Sequence, residues 1–401
     1  MKHLNLFLFF LMTAIMSTAN AQWTDKVSGT ANSLYDVHFP DQTTGYVAGY
    51  YGTVLKTTDT GDTWSTLVST TNEDLEAVFF ITPDKGFVVG MNTMLATVDG
   101  GVNWTTVILP VSDHFLDIEF IDSQLGFCVG AGGIILKTTD GGANWVLKNS
   151  GVTRKLSNVQ FPSATVGYAV STGYNWNFLK TIDGGETWMD NAIGPIDNLS
   201  NIESVYFTDE NNGIIGGWYL AALIKTNDGG GSWTNVDPGG AGANMYSIHF
   251  PSAQVGYGVG LSGEVYNTGD GGSTWTMETL ADNTALTSVF FINNTTGIAV
   301  GNLGKIIKTS NATAELHEDV TNLSFSIYPN PVQEKLLIDL ANLGKSGVET
   351  ISVVNMLGET LMEEVVSTNQ HTLDFSTFEA GSYFVIVSTE SGTKTQKVVK
   401  N

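Results

Sequence analysis

Apolar and polar residues alternate in short runs along most of this chain, four runs to a unit, and the unit repeats. The first unit reads Leu34-Tyr35-Asp36-Val37-His38-Phe39, then Gly45-Tyr46-Val47-Ala48-Gly49, then Thr53-Val54-Leu55-Lys56-Thr57, then a run opened by Trp64. Alternation with a period of two, bounded by Gly, Asp and Thr, predicts strands. We label the four strands A, B, C and D. Trp64, Trp104, Trp145, Trp188, Trp233 and Trp275 return at spacings of 40, 41, 43, 45 and 42. A period in this range points to a repeat architecture.

Each of these Trps closes one phrase, such as Asp99-Gly100-Gly101 before Trp104. The Asp can accept turn amides, the Gly permits a positive φ in a tight hairpin, and the Trp covers the hairpin with apolar surface. Asp59, Asp99, Asp140, Asp183, Asp228 and Asp270 are therefore read as structural turn residues. A–B–C triplets occur seven times, the last from Ser288 to Thr309, and that one lacks a Trp of its own. Trp23 stands before the first A strand as the other Trps stand before theirs. The N-terminus is thus expected to supply the missing D strand and close the ring, leaving no free sheet edge. The expected fold is all-β: a seven-bladed β-propeller over residues 22–312, followed by a small β-sandwich.

The phrases resemble the Asp-box repeats of sialidases and other glycoside hydrolases. The Gly-Tyr-x-x-Gly…Lys-Thr-x-Asp-Gly-Gly-x-x-Trp variant is similar to propellers of the photosystem II stability and assembly factor family, over roughly residues 23–312. Residues 313–324 are expected to be a linker. Beyond them the period disappears, and short strands follow: Phe325 to Val332, Leu336 to Leu340, Leu373 to Phe375 and Ala380 to Val387. Residues 325–401 resemble the type A sorting domain of the type IX secretion system. The matching phrases are Tyr328-Pro329-Asn330-Pro331, Asn355 to Gly358, Ala380-Gly381-Ser382-Tyr383 and the Lys397 to Lys400 ending. That resemblance implies the secretion machinery as a partner, with the mature protein released or attached at the outer surface of a Gram-negative cell.

The other end agrees. Lys2 and His3 precede an apolar run from Leu4 to Met16, and Ala19-Asn20-Ala21 offers small residues for cleavage. The run is short of the ~20 residues that span a bilayer, so residues 1–21 read as a cleaved signal peptide. No later stretch reads as transmembrane. Cys128 is alone, within an apolar strand, and reads as a small buried hydrophobe. The net charge of −23 argues against nucleic acid, whose backbone is bound mainly through Lys and Arg. A monomer is expected.

Charge also filters the chemistry. Arg154 is the one arginine, so the arginine triad that a likeness to sialidases would imply cannot be assembled, nor can the Arg-rich patch of the photosystem-factor propellers. No metal site or cofactor is expected: single Asps spread around a ring do not converge as Ca²⁺ requires. His38 and His249 hold equivalent A-strand positions and, like His114, read as packing residues. A glycoside hydrolase would need two carboxyl groups roughly 5 to 9.5 Å apart. Glu73, Asp74, Asp113, Asp117, Asp197 and Glu203 are candidates, with no pair standing out and the catalytic residues unassigned. The aromatics say more. Trp176 and Trp218 fall outside the repeat and are expected between strands B and C. With Tyr50, Tyr51, Tyr174, Tyr219 and Arg154 they form the candidate binding set, for a protein or a glycan. The primary reading is an exported binding module; the alternative is an Asp-box glycoside hydrolase.

Overall fold

The computed structural model describes residues 23–171, 177–191, 201–218, 223–239, 244–310, 325–340, 349–355, 360–366, 368, 370–389 and 392–401. The chain divides into two compact units between Leu316 and His317. Tyr174, Trp176, Asp197 and Tyr219, all candidates above, lie outside the described residues.

Among the described residues, the first unit holds seven four-stranded antiparallel sheets. The first is Leu34–His38, Gly45–Gly49, Thr53–Thr57 and Ser65–Val68, in that order. Five more follow the same order. The last sheet contains Leu286–Phe291, Gly297–Gly301 and Ile306–Thr309, and its fourth strand is Thr24–Lys26. That strand pairs antiparallel, Thr24 opposite Lys308. Two ion pairs hold it: Asp25 to Lys305 at 2.6 Å and Lys26 to Asp62 at 2.8 Å. The A strand of the last sheet also bonds to that of the first, with Thr287 Oγ1 donating to Leu34 O at 2.6 Å.

The repeat phrases have identifiable physical roles. A Cβ on Gly45 would lie 2.4 Å from the Phe39 ring, so glycine lets the A-strand Phe lie flat on strand B. The Asp99 carboxylate accepts Thr97 Oγ1, Asn103 N and Asn103 Nδ2 at 2.7–2.9 Å. These bonds hold its carboxyl down at about 2. Gly101 turns the chain at φ +85°. The Tyr and Lys of the phrase latch one sheet to the next. Tyr46 OH donates to Pro83 O at 2.6 Å, and Lys56 Nζ, 5.2 Å from the Tyr46 ring centroid, donates to Gly100 O at 3.1 Å. Tyr168 and Lys180 repeat this on Glu210 O and Gly229 O. Cys128 is fully buried, as its apolar strand implies.

The second unit has a three-stranded sheet, Ser326–Tyr328, Lys335–Asp339 and Gln370–Asp374. It also has a four-stranded sheet of Thr360–Val366, Glu349–Val354, Gly381–Thr389 and Gly392–Lys400. Leu336, Ile338, Ile351, Val353, Leu373, Phe375 and Val385 form its core. No helix among the described residues is long and apolar enough to cross a membrane.

Candidate functional site: the channel and the face around its mouth

The seven A strands line one cavity of about 260 Å³. A register shift in every A strand controls what they present to it. In the first, Leu34 pairs with Gly49 and Asp36 with Ala48, leaving Tyr35 as an extra residue. Such a bulge turns two consecutive side chains to one side. Residues at the bulge form an outer layer that includes Tyr35, Glu76, Leu116, Glu203, Tyr246 and Thr287. The next position forms a middle layer with Asp36, Asp117, Asn158, Ser204, Ser247 and Ser288. A deeper layer holds His38, Phe79, Glu119, Gln160, Tyr206 and His249.

The middle layer hydrogen-bonds one sheet to the next. Asp36 Oδ2 accepts Val78 N at 2.9 Å, Asp117 Oδ2 accepts Val159 N at 2.8 Å, and Asn158 Oδ1 accepts Val205 N at 2.9 Å. Ser247 Oγ accepts Val289 N at 3.2 Å, and Ser288 Oγ accepts Val37 N at 3.4 Å. Ala77 has nothing to offer at its junction. Ser204 Oγ is buried and has no hydrogen-bond partner. The deeper layer does the same work: Phe80 N donates to His38 Nδ1 at 3.3 Å, Phe161 N to Glu119 Oε2 at 2.8 Å, and Phe291 N to His249 Nδ1 at 3.2 Å.

Burial sets the charge states. Desolvation pushes the Asp117 carboxyl up to about 7 and the Glu119 carboxyl well above the usual range. It raises Asp36 as well. His38 is pulled down to about 3 and His249 to about 4, both mainly by burial. His38 also lies against Phe79, with ring centroids 4.2 Å apart. The two histidines are neutral packing residues, as their equivalent positions implied. His114 differs, because its Nε2 meets Glu76 Oε1 at 2.8 Å. Both Asp117 oxygens are engaged, Oδ1 by Ile118 N and Oδ2 by Val159 N and Asn158 Nδ2. A carboxylate so committed is poorly placed to act on a substrate. Among the described residues no cluster of three or more His, Cys, Asp or Glu could hold a metal ion.

Around the mouth, the turns from strand B to strand C carry exposed apolar side chains. Tyr50 and Tyr51 are 47% and 57% exposed, and Tyr51 N donates to Asp74 Oδ1 at 3.0 Å. Met91, Leu261 and Leu303 occupy corresponding turns in the second, sixth and last sheets and are also exposed. Arg154 and Lys155 are exposed on the neighbouring loop before strand Leu156–Gln160. Trp218 is the last residue of strand Gly213–Trp218, paired with Asn201, so it ends strand B instead of lying in the loop after it. Sequence reading missed Tyr35, Glu76, Glu119, Ser204 and Tyr246. The signal available was the equivalence of the A-strand positions, but the bulge that decides which of them share a side leaves no mark in the alternation.

Comparison with known proteins fits this architecture. Residues 15–109 and 102–155 match the Photosynthesis system II assembly factor YCF48 family, and residues 326–401 match the Secretion system C-terminal sorting domain. No curated protein matches the sequence. A structure of YCF48 bound to D1 peptide aligns with a TM-score of 0.60 at 18% identity, covering 72% of this chain and 97% of that one. PorZ, a surface component of the type IX secretion system of Porphyromonas gingivalis, aligns at 0.57 and 14%, covering 92% and 59%. The Niastella koreensis GH74 enzyme aligns at 0.59 and 15%, covering 93% and 60%. At these identities the likeness is one of fold, a β-propeller. The sorting-domain match marks the chain for type IX export to the cell surface or the medium. The chain is thus similar to YCF48-type repeat propellers in its N-terminal part and to secretion-system sorting domains in its C-terminal part.

Proposed function

We propose that the mature chain is an exported binding module whose ligand, a protein or glycan, docks on the face around the channel mouth. In this reading residues 1–21 are a signal peptide, residues 22–312 a closed seven-bladed ring, residues 313–324 a linker and residues 325–401 the sorting tag. The pairing of Thr24–Lys26 with the last sheet supports closure. One observation carries the functional reading: apolar side chains at Leu261, Leu303, Tyr50, Tyr51 and Met91 are exposed on corresponding turns of consecutive sheets. Apolar side chains gathered on one face are the kind of surface that marks interaction sites. Tyr174, Trp176, Trp218, Tyr219 and Arg154 complete the proposed binding set on the sequence argument above. The D1 peptide held by YCF48 favours a protein ligand.

The GH74 likeness keeps a glycoside hydrolase as the second reading. It would have to use carboxylates outside the middle and deeper layers of the channel, with Glu73, Asp74, Asp113 and Glu203 the described candidates. A pull-down and glycan-array screen with the mature chain, beside a Tyr50→Ala/Tyr51→Ala variant, tests the proposal. Capture of one ligand that the variant loses is the expected result. Hydrolysis of a polysaccharide that Asp74→Asn or Glu203→Gln abolishes would replace it with the enzyme.

A further inference from the structure

The channel mouth lies within the arc of exposed turns, and its chemistry differs from theirs. Tyr35 and Tyr246 line it beside Glu76 and Glu203, all four partly exposed. The field there is negative. Burial, with Asp74 and Glu76 behind it, pushes the Tyr35 hydroxyl up to about 12; burial, with Glu203 and Glu264, does the same for Tyr246. One layer below, Ser204 is 94% buried and its Oγ lacks a partner, whereas Ser247 and Ser288 in the same layer accept an amide from the next sheet. A buried hydroxyl left unpaired costs free energy until a ligand or water satisfies it.

We propose that this mouth accepts a single basic side chain, Lys or Arg, of the protein that docks on the surrounding face. The chemistry selects this occupant. Tyrosine rings attract a cation through their faces, and Glu203, with the Glu76 oxygen that His114 does not hold, supplies countercharge. Ser204 then accepts a donor from the head group, which reaches past the outer layer. A hard divalent ion would need six to eight converging oxygens, and the described residues hold no such cluster. Lys155 acts on Glu203 but is itself exposed. The net charge of −23 favours encounter with basic partners.

The inference rests on the docking reading above, and its test is separable. Acetylated, amidated pentapeptides Ala-Ala-Arg-Ala-Ala, Ala-Ala-Lys-Ala-Ala and Ala-Ala-Gln-Ala-Ala are titrated calorimetrically into the full mature chain at low salt. The Arg or Lys peptide should bind at about millimolar Kd or tighter, and the Gln peptide at least about tenfold more weakly. Glu76→Gln/Glu203→Gln should cancel that preference, and Ser204→Ala should weaken the basic peptide with an unchanged tryptophan spectrum. Equal binding of the Arg and Gln peptides, or no binding of any of them at about 10 mM, overturns the inference. If a natural ligand is nonetheless captured through Tyr50 and Tyr51, only this inference fails and the docking reading stands.

Discussion

Replacing Asp117 by Asn should change how stability depends on pH more than it changes stability itself. The carboxyl moves from 3.8 to about 7, chiefly through desolvation, with the negative charge of Asp36 a further raising influence. A raised folded-state value means that the folded chain holds a proton the unfolded chain has released. The resulting stabilisation is fully present below about pH 3.8 and is lost as pH rises through about 7. At ~1.4 kcal/mol per pH unit, and with part of the side chain open to the channel, the loss between pH 4 and pH 8 comes to about 2–4 kcal/mol. His38 and His249 act in the opposite sense. Their values fall from 6.5 to about 3 and about 4, so their contribution is whole above pH 6.5 and declines below it. The wild-type profile should therefore sag on both sides of a maximum. Asp117→Asn removes its own share of the alkaline limb, leaving the part due to the likewise raised Asp36 and Glu119, and it adds a pH-independent cost of about 1 kcal/mol for the acceptor lost to Ile118 N. Tryptophan fluorescence isolates the relevant unit, because all 9 tryptophans lie between residues 23 and 275. Urea titrations at pH steps from 4 to 8.5 give the two profiles. Parallel curves for wild type and variant across that range would refute the raised Asp117 carboxyl.

Other consequences follow from the same geometry. Trp23→Ala removes an edge-to-face contact with Phe291 at 5.9 Å and should cost about 3 kcal/mol, while deleting residues 22–34 should abolish the cooperative melt; a truncated chain melting like the parent would refute closure. Gly45→Ala forces a Cβ to 2.4 Å from Phe39 and should cost about 1–3 kcal/mol, seen in thermal melts. Removing residues 325–401 should leave a folded propeller in the periplasm, a result that cell fractionation in a type IX-competent host would contradict by finding it at the surface. Trp176→Ala and Trp218→Ala should each cost a bound ligand about 2 kcal/mol or more with little change in melting; a large loss of stability at constant affinity would make them packing residues.

The repeat made the architecture legible because its phrases are local. The Asp99 carboxylate bonds only to residues between 97 and 103, and Gly45 answers Phe39 six positions earlier, so the cause and its sign in the sequence stand together. Trp23 was readable for a different reason: a count that came up one strand short pointed to the other end of the chain, where Thr24 pairs with Lys308. The role of Tyr46 and Lys56 was only half readable. Their recurrence showed in the sequence, but the carbonyls that they reach, Pro83 and Gly100, belong to the next unit.

The channel was not legible, and a single structural device accounts for that. Strict alternation would put Leu34, Asp36 and His38 on one side of the strand and Tyr35 and Val37 on the other. The bulge breaks this rule once per A strand. Tyr35 and Asp36 then both face the cavity, while Leu34 and Val37 are buried in the core. Glu76, Glu203 and Tyr246 follow Tyr35 to the mouth by the same shift. The acidic residues of the A strands are thus sorted by depth. The acids of the middle and deeper layers, Asp36, Asp117 and Glu119, are consumed in bonds between sheets, which removes them from chemistry. Those lifted to the outer layer by the bulge are left facing the mouth, and there a partner can reach them.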